Sequence, residues 1–227
     1  MFNTAILLAA GRGERFKSRT AKPLIKLSNR PAIAYSLKAL NGHPKIKEII
    51  VVVNRLNCSG ILRQIRKYKF SKVNKVVIGG KRRQDSLGSA LKVLDKRAQI
   101  VLIHDAARPF LNRKVITDCL NEARRSGAAV AGVPVKATIK QAIGLKVKKT
   151  LDRSDLWEIQ TPQVFRKDLI LKAYNKFVRT DVTDDASLVE KMGRTVKIVS
   201  GSYFNIKITT PEDLVLAEAI AAKINDI

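Results

Sequence analysis

The stretch that decides the fold is Ala5-Ile6-Leu7-Leu8-Ala9-Ala10-Gly11-Arg12-Gly13-Glu14-Arg15-Phe16. A short apolar run ends in two glycines and opens into cations. Arg12, Arg15, Lys17, Arg19, Lys22, Lys26 and Arg30 stand against the single acid Glu14. Glycine lets backbone N–H groups approach a ligand closely, and a cationic loop after a buried strand suits a polyphosphate. The pattern points to a nucleotide handled at the carboxyl edge of a sheet.

Outward from this loop, strand-like and helix-like segments alternate. That alternation predicts an α/β fold, a mostly parallel Rossmann-like sheet with helices on both faces. Residues 4–9 form the first strand. Pro31 opens a helix over 32–40 that ends near Gly42. Residues 49–53 are β-branched throughout, as befits a strand buried on both faces. A helix over 58–68 and strands at 76–78, 100–103 and 128–133 follow. Helices are expected at 85–94 and from Asn112, a capping residue, to Gly127.

The rhythm changes after Pro134. Residues 138–142 and 146–150 read as a hairpin about Gly144, a protruding arm at about 135–155 on one domain spanning 1–227. Strands at 157–165, 196–199 and 205–208 and helices at 167–177 and 184–192 complete the reading. Thr210-Pro211-Glu212-Asp213 opens the last helix, with a capping hydroxyl, an early proline and early acids.

Composition narrows the function. The chain has 227 residues, 45% of them apolar, and a formal net charge of +25. Such an excess attracts polyanions. Residues 63–83 hold nine Lys or Arg and no acid, yet aromatics are only 5% and no RRM, KH or zinc signature occurs. A basic RNA-binding protein is therefore the weaker reading, and no specific nucleic-acid partner is expected. Cys58 and Cys119 form no CxxC pair, which suits a reduced interior. The first apolar stretch is too brief for a signal peptide, and no run approaches a membrane span. The expectation is a cytoplasmic protein without a membrane partner.

Gly11-Arg12-Gly13 after a strand invites a dinucleotide reading, but Phe16 stands where a third glycine belongs. The ribose-binding acid is missing too, since no Asp or Glu lies between Glu14 and Glu48. A P-loop fails because no GK[ST] follows the glycines. Further polar blocks fall at predicted strand ends. Gly79-Gly80-Lys81-Arg82-Arg83-Gln84-Asp85-Ser86 could present backbone groups to a base. In His104-Asp105-Ala106-Ala107-Arg108-Pro109 the acid is placed to hold Mg²⁺ on phosphates. Lys207, between Ile206 and Ile208, points opposite to both neighbours on an alternating strand, toward solvent or into a site.

The ordered blocks LAAGRGERF, KPL, GGKRRQDS, HDAARP, DRSDLW, TPQVF, TDDAS and NIKIT resemble the 2-C-methyl-D-erythritol 4-phosphate cytidylyltransferases across essentially the whole chain. The resemblance implies a homodimer interlocked by the arm, and transfer of CMP from CTP to a sugar-alcohol phosphate with release of pyrophosphate. Ribitol-5-phosphate cytidylyltransferase is the sister alternative. The resemblance further implies CTP over Ala9, Ala10, Gly11 and Gly13, with Gly80 and Ser86 at the cytosine. Arg15, Lys22 and Lys207 match the catalytic cations around the phosphates. Asp105 matches the acid near Mg²⁺ and substrate, and Arg108 of the same block belongs with the substrate-binding positions. Thr138 and Arg153 match substrate-phosphate positions supplied by the partner subunit, and Thr161 and Thr183 line the substrate side. Two positions depart from the family pattern. Lys81 and Ala137 stand where acids are usual.

Overall fold

The structure, a computed structural model, describes residues 1–11 and 21–225. β1 (Phe2–Leu8) is followed by a 3-10 turn, Lys22–Leu24, and a minor ribbon of β2 (Lys26–Leu27) and β3 (Arg30–Pro31). Then come α1 (Ala32–Asn41), β4 (Ile46–Val53), α2 (Cys58–Lys67), β5 (Val73–Ile78), α3 (Arg83–Leu91), β6 (Ala98–Asp105), α4 (Arg113–Ser126) and β7 (Ala128–Pro134). The hairpin β8 (Lys140–Ile143) and β9 (Lys146–Thr150) leads to β10 (Trp157–Arg166), α5 (Lys167–Lys176), α6 (Ala186–Glu190), β11 (Lys197–Ser200) and α7 (Pro211–Asn225).

Among the described residues, seven strands form the main sheet in the order β11-β7-β10-β6-β1-β4-β5. β1 runs parallel to both β4 and β6, and β5 and β11 run parallel to their neighbours. Of these seven, β10 pairs antiparallel, with β6 and with β7. The hairpin explains this. β7 ends, the chain turns through β8 and β9, and it returns in the opposite direction.

Alternation along β1 builds two cores. Ala5, Leu7 and Ala9 pack with Leu37, Leu40, Ile61, Ile116 and Leu120 from α1, α2 and α4. Ile6, Leu8 and Ala10 pack with Leu87, Ala90, Ile170, Ala173 and Leu188 from α3, α5 and α6. A strand with helices on both faces must be apolar at every position, and Ile49 to Val53 are fully buried accordingly. A third, smaller core joins Tyr35, Phe110, Ile208, Ala217 and Ala221, and so seats α7 beside the carboxyl edge.

Local chemistry sets the boundaries. The Asn112 side chain accepts from Val115 N at 2.8 Å, and Gly127 ends α4 at φ 95. Gly144 turns the hairpin at φ 59. Pro31 precedes the first helical residue of α1 and acts as its cap. Asp213 Oδ2 accepts from the N–H groups of Thr209 and Thr210 and from Thr209 Oγ1, which closes the start of α7.

Residues 205–208 are not the strand their pattern predicts. They cross the carboxyl edge, where no described strand offers them a ladder. Instead Ile208 N donates to Ala107 O at 2.9 Å, and Arg108 Nη1 donates to Asn205 O at 2.7 Å. α6 is also shorter than expected, and α3 begins two residues earlier.

Candidate active site

The end of β1 is fixed before any ligand arrives. Ala9 N donates to Val52 O, and the carbonyls of Ala9 and Ala10 accept from Asn57 Nδ2 at 2.8 Å and Asn54 Nδ2 at 3.0 Å. The two asparagines lock each other, because each backbone N–H donates to the other's Oδ1 at 2.9 Å. Gly11 is exposed beyond them. Gly13 and Arg15 lie outside the described residues.

The double glycine after β5 meets this end. A Cβ added to Gly79 would stand 2.5 Å from Ser86 Oγ and 2.7 Å from Ala10 Cβ, so two predicted blocks share one point. Ser86 is buried, and its hydroxyl donates to Arg82 O. Asp85 caps α3 by accepting from Arg82 N and from the Arg82 guanidinium, and Gly80 lies against the Asp85 side chain.

Asp105, the last residue of β6, is the electrostatic centre. Arg83 Nε and Nη2 donate to its Oδ1 at 3.2 and 3.1 Å, while Lys207 Nζ donates to its Oδ2 at 2.7 Å. Burial opposes its charge, but Arg83 and Lys207 outweigh burial and hold the carboxyl well below the usual range. The third Arg83 nitrogen, Nη1, reaches Asp185 Oδ1 at 2.7 Å. Burial dominates at Asp185 and raises its pKa despite Arg83.

Thr161 and His104 brace this centre. A carbonyl can only accept, so the contact between His104 Nε2 and Arg108 O at 2.9 Å makes Nε2 the donor. Nδ1 then accepts from Thr161 Oγ1 at 2.8 Å, and Thr161 Oγ1 accepts from Asp105 N at 3.2 Å. Burial pushes His104 down to about 4, so the ring is neutral at pH 7. A register shift between Ile159 and Gln163 interrupts β10 here. The Thr161 carbonyl thereby turns to Asn205 Nδ2 at 2.8 Å.

Gln163 builds the far wall. Its Oε1 accepts from Asp185 N and Ala186 N, and its Nε2 donates to Asp184 Oδ2 at 2.6 Å. A cavity of about 380 Å³ is lined by Asp105, Lys207, Arg83, Arg108, Thr161, Gln163, Thr183 and Asp184 among others.

The structure places Ala9, Ala10, Gly80 and Ser86 about the ends of β1 and β5, and Asp105, Arg108, Thr161, Thr183 and Lys207 around the cavity. Lys22 joins the same region by donating to Thr209 O at 2.8 Å. Arg108 is buried and spends Nη1 on Asn205 O, so part of its work is to hold the Lys207 segment. Thr138 and Arg153 do not line the cavity. Both are exposed on the arm, where Arg153 Nη1 donates to Lys136 O. Arg83, Asp185, Asn54 and Asn57 were not singled out from sequence. The two asparagines left a signal, an N-x-x-N directly after a buried β-branched strand.

Among the described residues, no three of His, Cys, Asp and Glu cluster to hold a metal. Asp105 nevertheless offers a hard oxygen donor at the cavity. A Mg²⁺ ion carried by triphosphate oxygens and water needs only one or two carboxylates, and Asp105 meets that demand through Oδ2 once Lys207 turns away, while Arg83 keeps Oδ1.

The family model for 2-C-methyl-D-erythritol 4-phosphate cytidylyltransferase matches residues 3–223. A relative of that name from Geobacillus thermodenitrificans is 44% identical over 220 residues, 96% of either chain. The crystal structure of 4-diphosphocytidyl-2C-methyl-D-erythritol synthase from Anaerococcus prevotii shares this fold at a TM-score of 0.85 and 35% identity, covering 96% of this chain and 95% of that one. The 2-C-methyl-D-erythritol 4-phosphate cytidylyltransferase from Thermus thermophilus gives a TM-score of 0.79 at 31% identity, covering 96% and 98%.

Proposed function

The chain belongs to the 2-C-methyl-D-erythritol 4-phosphate cytidylyltransferase family, and we propose that its cations, rather than any protein nucleophile, carry the reaction. The enzyme joins CTP to 2-C-methyl-D-erythritol 4-phosphate, giving 4-diphosphocytidyl-2-C-methyl-D-erythritol and pyrophosphate. A phosphate oxygen of the sugar phosphate attacks the α-phosphorus of CTP in line. The bond from the α-phosphorus to the α,β-bridging oxygen breaks, and its electron pair leaves with pyrophosphate. No general base is needed, because a phosphate monoester is already largely dianionic at pH 7.

The obstacle is that two polyanions must meet. Neutralisation and positioning provide the acceleration. Arg15 and Lys22 hold the α- and β-phosphates as charge moves toward the leaving group, and Lys207 spans the attacking phosphate and the α-phosphate. Ala9, Ala10, Gly11 and Gly13 carry the nucleotide, Gly80 and Ser86 its base, and Arg108, Thr161 and Thr183 the sugar phosphate. Asp105 is the residue to hold a divalent cation, which when bound supplies Lewis-acid polarisation and further neutralises the triphosphate.

The second half of the site comes from a homodimer. Ile143, Leu145 and Val147 are exposed apolar residues on the arm, and Thr138 and Arg153 at its base serve the partner's substrate phosphate. The rest of residues 1–227 forms one nucleotidyltransferase domain, with the arm at about 135–155. Among the described residues, no helix is long and apolar enough to cross a membrane.

The observation that carries this reading is the packing of Ala10, at the end of β1, against the Gly79 turn, together with the pairing of Asp105 with Arg83 and Lys207. The test offers 2-C-methyl-D-erythritol 4-phosphate and ribitol 5-phosphate separately, with CTP and Mg²⁺, and measures pyrophosphate. Release with the first and little with the second is expected. The reverse preference would assign the chain to the ribitol reaction.

A further inference from the structure

We propose that Arg83 is a positioning residue that frees Lys207 for the reacting phosphates by keeping Asp105 paired. The inference rests on the reading of Lys207 as a phosphate-binding cation and adds a residue that no motif assigned.

Asp105 is 7% exposed and holds two cations, one on each oxygen. A buried carboxylate that loses its partner is strongly destabilised, so a lysine that is its sole partner cannot leave without penalty. Here the two partners differ in how they are moored. Arg83 is clamped at its other end, because Nη1 donates to Asp185 Oδ1 at 2.7 Å. Asp185 cannot follow it, since its own N–H and that of Ala186 are fixed on Gln163 Oε1 at 3.0 and 3.1 Å.

Lys207 is the opposite case. It comes from an extended passage outside any strand ladder, its side chain is 41% exposed, and its ammonium sits on a flexible stem. The planar Arg83 fork serves both carboxylates at once in a fixed geometry that an ammonium on a flexible stem does not impose. Arg83 is thus built to stay and Lys207 to move. With Arg83 in place, Lys207 turns from Asp105 Oδ2 to phosphate oxygen while Asp105 remains neutralised through Oδ1.

The experiment is a double-mutant cycle read by pyrophosphate release, with Arg83→Met, Lys207→Met and the double variant. Arg83→Met should lower kcat about tenfold or more while the KM for CTP changes by less than about threefold. The double variant should be no slower than Lys207→Met, since without Lys207 there is nothing to release. Arg83→Lys should recover part of the kcat. Asp185→Asn, which loosens the far end of Arg83, should show a smaller loss of the same kind, and it carries the test if Arg83→Met fails to fold. Losses that multiply in the double variant overturn the inference, as does a parental kcat in Arg83→Met. If Lys207→Met alone turns over at the parental rate, the underlying mechanism is what fails.

Discussion

Lys207 Nζ stands 2.7 Å from Asp105 Oδ2 across 102 residues of chain, so a cation from the end of the sequence is docked on the sheet's central acid. Removing it should cost rate and little stability. Lys207→Ala is expected to lower kcat on the order of a hundredfold, about 3 kcal/mol of transition-state stabilisation. Asp105 keeps Arg83, so the melting temperature should move by only a few degrees. Parental turnover in this variant would remove Lys207 from the mechanism.

The pH dependence of stability follows from two buried histidines. Burial, with Arg113, Lys45 and Lys72 adding to it, pushes His43 down to about 4, and burial does the same to His104. Their folded values lie below the unfolded value of about 6.5, so between pH 6.5 and 4 the unfolded chain binds more protons. The contribution of each is complete above pH 6.5 and is lost as pH falls toward 4, at roughly 1.4 kcal/mol per pH unit per histidine. His43→Gln should flatten that slope by one histidine's share. Urea titrations from pH 4 to 7 decide it, and an unchanged slope would reject the assignment.

The sheet was legible because burial on two faces leaves no polar positions, as at residues 49–53, and because Asn112, Gly127 and Gly144 mark their turns by chemistry that acts within a few residues. The turn after β5 was legible for the same reason, since Gly79 and Gly80 directly follow a strand end. Arg83 was not. Its meaning lies in Asp105 and Asp185, 22 and 102 residues away, which only the packed sheet brings together. Residues 205–208 misled through their alternation. Their apolar members do face inward, Ile208 into the third core, but side chains of Arg108 and Asn205 replace the ladder that defines a strand.

The arm makes a prediction about partnership. Leu145 is fully exposed at the hairpin, with Ile143 and Val147 beside it, while Arg153 lies outside its own chain's cavity. Sedimentation should show a dimer, and deletion of residues 140–150 should give a monomer without activity. If Arg153 serves the partner's site, mixing inactive Arg153→Ala with inactive Lys207→Ala and refolding them together should restore about a quarter of parental activity. Half the dimers are then mixed, and each mixed dimer has one intact site. No recovery would place Arg153 in its own subunit's site or outside catalysis.

Gly79 tests whether the base loop depends on close packing rather than on backbone freedom. Its Cβ would meet Ser86 Oγ at 2.5 Å, Ala10 Cβ at 2.7 Å and Val52 Cγ1 at 3.0 Å, three neighbours of which two lie on or just after the central strands β1 and β4. Val52 and Ala10 belong to the packed second core and cannot yield far. Gly79→Ala should therefore push the double-glycine turn outward and raise the KM for CTP about tenfold, with a smaller change in the KM for the sugar phosphate. The turn carries no reacting group, so kcat at saturating CTP should stay within about threefold of the parent. Isothermal titration with CTP separates this from a folding defect. An undiminished CTP affinity would mean that the cytosine is read elsewhere.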